Sequence, residues 1–310
     1  MIPGVVFTGD IPIDNPAILV ISPEKAGKSS LAGTLFDYPR QGDRPLVLAF
    51  DHTGPESCNR LGWRVPHIRM GDQPGATLFE KTKNVLSSLE AAKIRGQLVT
   101  QEGNPITSIV IDCASTMASK FFEHAELRSN NPDPRSYYGD TLRQSNQVLS
   151  RIMDLGLPNI WLAWLQEPHV AEEKNDKGQK QKKMIFGRPN IPGNFKQSLA
   201  GRVHMILYLE KIKVGMGVQG ADDTGYTRVL HTKTYDNVEA GGRFNDVLPE
   251  PAPPQLGWIV HQIRHAPQIR QAGRMAQAQQ AQAEAQAQTA AVAVQAQQAP
   301  AQLQTGAQTA

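Results

Sequence analysis

Residues 18–31 read ILVISPEKAGKSSL: a short apolar run passes straight into a glycine-lysine-serine turn. Ser22, Gly27, Lys28 and Ser29 occupy the four defining places of the phosphate-loop pattern G-x-x-x-x-G-K-[ST], with serine standing where the first glycine is usual. The apolar run predicts a buried strand over Ala17–Ile21, and the residues after the turn predict a helix over Lys28–Phe36. A loop at such a junction points backbone N–H groups at an anion, with the positive end of the helix dipole behind them. The nucleotide-binding residues expected from this stretch are Ser22, Pro23, Glu24, Lys25, Ala26, Gly27, Lys28, Ser29 and Ser30. Lys28 is the expected phosphate-contacting cation, and the Ser29 hydroxyl an expected ligand of Mg²⁺. The bland alternative is a strand-turn-helix corner whose Gly, Lys and Ser serve geometry alone. Strand, glycine, lysine, hydroxyl and helix falling in one register argue against it.

Working outward, the 310 residues are 20% charged and 40% hydrophobic, which suits one sizeable domain with appendages. A net charge of +3 decides nothing about partners by itself. Cys58 and Cys113 are the only cysteines and lie far apart, so neither a disulfide framework nor a CxxC metal site is indicated. No run approaches the ~18 apolar residues of a membrane span, and the N-terminus lacks the pattern of a signal peptide. A soluble, cytoplasmic protein is the expectation.

From Gln271 to Ala310, 28 of 40 residues are Ala or Gln. Such a segment has almost nothing to bury and reads as a low-complexity, flexible extension, a possible contact for a protein partner. The ordered ATP-binding domain is therefore expected over residues 1–265 and a disordered tail over 266–310, with Leu256–Ile269 a short closing helix.

Within the domain, apolar runs at Ala17–Ile21, Leu46–Phe50, Ile106–Ile111, Ile160–Leu165 and Val203–Leu209 alternate with helix-like segments such as Thr77–Lys93 and Thr141–Leu155. This rhythm predicts an α/β fold with a mainly parallel sheet flanked by helices, with ligand at the C-terminal ends of its strands. Asp112, ending the third run, is the expected carboxylate behind Mg²⁺. Cys113 follows it where many ATPases have a glutamate base. A base would instead come from LAFDHTGPES, with Asp51 and Glu56 as candidates, against the alternative of a polar turn. Gln166 ends the fourth run and could sense a terminal phosphate. Beyond it, Lys174, Lys177, Lys180, Lys182 and Lys183 crowd one stretch, a surface for nucleic-acid phosphates or else a solvated hairpin tip. Phe186 and Phe195 flank it as aromatic candidates.

SPEKAGKSSL resembles the RecA phosphate loop, SIVID its metal-side strand, and Gln166 its strand-end glutamine followed by a DNA-contacting loop. More narrowly the chain resembles phage-encoded AAA/RecA-like ATPases of single-strand annealing and recombination. The resemblance implies a RecA-like P-loop core, ATP and Mg²⁺ as cofactors, single-stranded DNA as partner, and homo-oligomeric rings or filaments with ATP at subunit junctions. Arg243, in EAGGRFND, resembles an arginine that acts on a neighbour's nucleotide. Gly241 stands where that turn would carry lysine, and Thr53 about where the catalytic glutamate would fall. An assembly module that binds nucleotide without turnover, and a P-loop kinase with the lysine stretch as its lid, are the alternatives. Kinase lids usually carry arginines, which argues against the last.

Overall fold

The computed structural model describes residues 13–37, 44–51, 55–59, 64–71, 75–128, 133–174, 180–216 and 225–298. These fall into two compact units, one ending at Arg264 and one beginning at His265.

In the first unit, β1 (Ala17–Ser22), β2 (Pro45–Ala49), β3 (His67–Arg69), β4 (Ser108–Asp112), β5 (Asn159–Gln166) and β9 (Met205–Lys213) run parallel, in the order β9-β1-β5-β4-β2-β3. Every residue of β1, β2 and β4 is buried, as expected of parallel strands covered on both faces. β10 (Tyr226–His231) closes one edge by antiparallel pairing with β9. Two short pieces, β8 (Arg188–Pro189) and β11 (Gly241–Gly242), pair antiparallel with β5 and β9.

The helices are α1 (Lys28–Gly33), α2 (Gly75–Ile94), α3 (Ala114–Arg128), α4 (Pro134–Asp154), α5 (Phe195–Arg202) and α6 (Leu256–Arg264). Side chains of α2 to α5 build one core with Leu19, Ile21, Ile109, Ile111, Trp161 and Ala163, one set of alternate strand positions. The other set, including Ile18, Val20, Val110, Ile160 and Leu162, is equally buried outside that cluster. Trp161 is fully buried and its indole N–H donates to Asn159 Oδ1 at 2.8 Å, so its polar atom is satisfied. A buried aromatic of this size is worth about 3–5 kcal/mol against alanine. The expected α/β fold, a mainly parallel sheet flanked by helices, is thus observed.

Two elements depart from expectation, the end of α1 and the tail, and the lysine stretch takes the hairpin form that one of its two readings named. The helix expected to reach Phe36 ends at Gly33, and the chain continues to Asp37 in tight turns bonded three residues back. A Cβ on Gly33 would clash with the Cys58 carbonyl oxygen, so close packing favours a glycine where the helix stops. The lysine stretch is a β-hairpin, β6 (His169–Lys174) with β7 (Lys180–Ile185), forming its own two-stranded sheet. The second unit carries α7 (Ala266–Gln298), a helix where an irregular tail is expected, in keeping with alanine's helix preference. Residues 271–291 are exposed throughout, so this span builds no core. Among the described residues no helix is long and apolar enough to cross a membrane.

Candidate nucleotide-binding site

Parallel, in-register pairing brings the C-terminal ends of β1, β5, β4 and β2 to one end of the sheet. Ser22 pairs with Trp164, Asp112 with Leu162, and Ala49 with Asp112. A cleft of about 450 Å³ opens there, lined by Glu24, Lys25, Gly27, Lys28, Ser29, Ser30, Asp51, Ser57, Asp112, Trp164 and Arg228. A slightly larger, mostly apolar groove along α2 shares none of these residues and lies away from the strand ends that carry the polar groups.

Loop geometry explains why serine is tolerated at the first glycine position. Positive φ occurs at Lys25 (57°) and Gly27 (98°), not at Ser22, which is the last residue of β1. Ser22 is fully buried and its hydroxyl donates to Pro23 O at 2.9 Å, so it supports the loop from behind and does not line the cleft. Ala26 is likewise buried, its carbonyl turned to Arg228. Gly27 is favoured by its left-handed φ, and an added Cβ would lie 2.5 Å from Arg228 Nε and displace that side chain.

Ser29 Oγ donates to Asp112 Oδ2 at 2.7 Å across 83 residues of sequence, tying the first turn of α1 to the end of β4. Asp112 is 2% exposed. Burial raises its pKa and Asp51 adds to the rise, while the Ser29 hydrogen bond and Lys28 oppose it. Lys28 is also buried, its ammonium 3.4 Å from Pro23 O. Burial lowers its pKa, partly offset by Cys113, Asp112, Asp51 and Glu24. An anion brought beside Lys28 would offset that desolvation cost.

A hydroxyl bonded to a carboxylate is a hard-oxygen pair suited to Mg²⁺, which takes few protein ligands and completes its shell with water and phosphate oxygens. Among the described residues no group of three His, Cys, Asp or Glu could hold a metal by itself. The Ser29–Asp112 pair fits a Mg²⁺ that takes its remaining ligands from water and phosphate oxygens.

The remaining expected site residues separate. Asp51 lines the cleft, its backbone N–H donating to Asp112 O at 3.2 Å. Glu56 does not: exposed, it accepts a 2.8 Å bond from Arg69, and its neighbour Ser57 lines the cleft instead. Thr53 lies outside the described residues. Gln166 sits two residues beyond Trp164 on the same face of β5, half-buried, with Arg188 as its register partner, and is not a lining residue. Arg243 is at the wrong end of its own sheet. Its backbone N–H donates to His204 O, and His204 Nδ1 accepts from Ala17 N at the start of β1, roughly 17 Å of strand from the loop. Arg243 therefore does not reach the cleft of its own chain.

Of the lysines, Lys182 is exposed; Lys174, Lys180 and Lys183 lie on the hairpin strands; and Lys177 lies outside the described residues. Phe186 is exposed, whereas Phe195 is fully buried in the core and cannot stack on a base. Sequence reasoning missed Ser57, Trp164 and Arg228. Trp164 hid inside an apolar run, and Arg228 reaches the loop from 202 positions away.

No curated protein matches the sequence significantly. A family model described as an AAA domain matches residues 14–244, from just before β1 through β11 and its following turn. That span contains the whole cleft, and families of this type generally bind ATP with Mg²⁺ through such a loop. With loop, metal-side carboxylate and strand order all inside the matched region, the chain belongs to the AAA-domain family of P-loop ATPases.

Proposed function

We propose that this protein is a RecA-like ATPase acting on single-stranded DNA, in phage recombination, annealing or replication, in the host cytoplasm. The observation that carries the reading is the Ser29–Asp112 bond beside Lys28, at the same end of the sheet as the end of β5 from which the lysine-bearing hairpin grows. When bound, Mg²⁺ neutralises charge on the phosphate oxygens during transfer. Gly27 and the loop backbone hold the phosphates, Lys28 contacts them as a point charge, Ser29 presents its hydroxyl to the metal, and Asp112 keeps that hydroxyl oriented. Asp51 serves as the base that takes a proton from the attacking water, because of the two candidates it alone lines the cleft.

Coupling to DNA runs through β5. Trp164 lines the cleft, its carbonyl accepts from Asn190 N at 2.7 Å, and Gln166 pairs with Arg188, so β8 clamps both legs of the β6–β7 hairpin to the strand. A change at the terminal phosphate thereby reaches the hairpin through bonded backbone. Val170 and Met184 face each other across the hairpin and are exposed, as is Phe186, an apolar surface beside the lysines on which bases can stack. Copies assemble into a ring or filament, with Arg243 of one serving the cleft of the next, and the α7 segment remains a contact for a protein partner.

A second reading, nucleotide as a subunit adhesive without turnover, is favoured by Glu56 being engaged by Arg69 outside the cleft.

Replacing Lys174, Lys177, Lys180, Lys182 and Lys183 by alanine tests the DNA role. If all five contact phosphates, the slope of log affinity against log salt for single-stranded DNA falls by about 3.5. Titration at several salt concentrations measures it, and an unchanged slope returns the hairpin to a solvated surface.

A further inference from the structure

β10 delivers a residue to the phosphate loop that no motif announces. Arg228 Nε donates to Ala26 O at 3.0 Å, and its Cζ and Nη2 both lie 3.3 Å from the place a Cβ on Gly27 would occupy. The guanidinium thus lies against the turn of the loop, half-buried, and forms part of the cleft wall with Lys28, Ser29 and Asp112.

Its position is fixed by regular structure. β10 pairs with β9 along its whole length, from Tyr226 opposite Lys213 to His231 opposite Tyr208. β9 in turn pairs with β1, the strand that feeds the loop. Three residues beyond Arg228, His231 is buried with Tyr208 and Tyr235 stacked on its two sides, and its ring nitrogens lie 3.1 Å from Glu210 Oε2 and 2.7 Å from Glu250 Oε1. Arg228 therefore reaches the loop from an anchored strand.

Charge gives the position its meaning. The ionisable side chains lining the cleft are Glu24, Asp51 and Asp112 against Lys25, Lys28 and Arg228, three of each sign. A nucleoside triphosphate brings further negative charge, and without Arg228 it would meet more carboxylates than cations. Besides the bond its Nε–H gives the Ala26 carbonyl, the guanidinium brings to the cleft wall a delocalised charge and a planar fork of donors matched to phosphate oxygens as an ammonium is not.

We infer that Arg228 is a phosphate-contacting residue supplied in cis, taking an oxygen of the bound triphosphate while bracing the loop through Ala26. The inference rests on the reading of the cleft as an ATP site. It gives each site two arginines of different origin: Arg228 from its own chain and Arg243 from a neighbour.

The experiment is Mg²⁺-ATP binding by calorimetry for the full chain and for Arg228→Gln, Arg228→Lys and Lys28→Ala, with melting of each without nucleotide. Glutamine keeps an N–H donor for the Ala26 carbonyl but loses the charge, so it separates bracing from anion contact. The expected result is affinity weakened about 10–150-fold in Arg228→Gln, an unchanged melting temperature without nucleotide, and partial recovery in Arg228→Lys. Wild-type affinity in Arg228→Gln, with Lys28→Ala defective, overturns the role of Arg228 and leaves the ATP site standing. If Arg228→Gln also melts early, addition of millimolar methylguanidinium decides: restored ATP affinity supports the contact, and no restoration assigns Arg228 to bracing alone. Failure of the unaltered protein to bind ATP overturns both readings.

Discussion

Lys28→Ala lowers ATP affinity by about 10–150-fold, the worth of one charged hydrogen bond to phosphate, while the protein without nucleotide stays folded. Both halves follow from where the side chain sits. Lys28 is buried at the mouth of the loop, and that burial lowers its pKa, so its charge is held at a cost when no anion is present. Removing the ammonium relieves that cost but also takes a cation from beside Asp112 and Asp51, and the two effects oppose each other. Lys28→Met, which keeps an apolar stem in the buried space, guards against a loss caused by a cavity. Calorimetry and melting curves measure both variants. Wild-type ATP affinity in either would remove the phosphate-loop assignment.

Asp112→Asn separates function from stability in the opposite sense. On the proposed function, Mg²⁺-dependent activity falls about 10–100-fold, because Asp112 holds the Ser29 hydroxyl that would ligate the metal and would not itself contact the phosphates. Stability without nucleotide rises. Burial and the nearby Asp51 raise the pKa of Asp112 in the folded protein, so the native state binds more protons than the unfolded chain. A group shifted in that direction favours folding below the ordinary carboxylate pKa and loses that contribution as pH rises through the raised value. From about pH 4 upward, the wild type should therefore lose stability relative to the asparagine variant, whose amide oxygen still accepts from Ser29. Each kcal/mol recovered corresponds to about 2–4 °C in melting temperature for a domain of this size. A melting difference that does not widen between pH 4 and pH 7 contradicts the assigned shift.

Much of this site was legible because its signals are local. The continuous apolar runs at β1, β4 and β5 announce buried parallel strands, and the run from Ile18 to Leu31 joins strand, loop and helix without interruption. Asp112 is readable for the same reason, as a carboxylate closing a buried strand. What was not legible depends on pairing between distant segments. Arg228 looks like one more basic residue in TRVLHTKT until antiparallel register carries it to Gly27. Glu56 looks as suitable a base as Asp51 until Arg69 is seen to hold it outside. Ser22 looks like a defect because the pattern names a residue type, whereas the backbone places its left-handed turns at Lys25 and Gly27. The early end of α1 has the same origin, a glycine pressed against the Cys58 carbonyl from another element.

The lysine hairpin shows a related limit. Charge clustering was visible in the sequence and a hairpin tip was one of its two readings, but the extent of the paired strands was not legible, because polar residues outnumber apolar ones along both legs. Its two exposed apolar residues, Val170 and Met184, meet across the ladder near its base, so the hairpin carries an apolar surface close to β5 with lysines farther out. That arrangement is what links a phosphate cleft to a strand of nucleic acid in the proposed function.

Steady-state ATP hydrolysis with Mg²⁺, with and without single-stranded DNA and with Lys28→Ala as the blank, tests the central claim most directly. The account predicts turnover that rises on adding DNA and vanishes in the blank. Tight ATP binding with no turnover in either condition would contradict it and leave a nucleotide-held assembly module in its place.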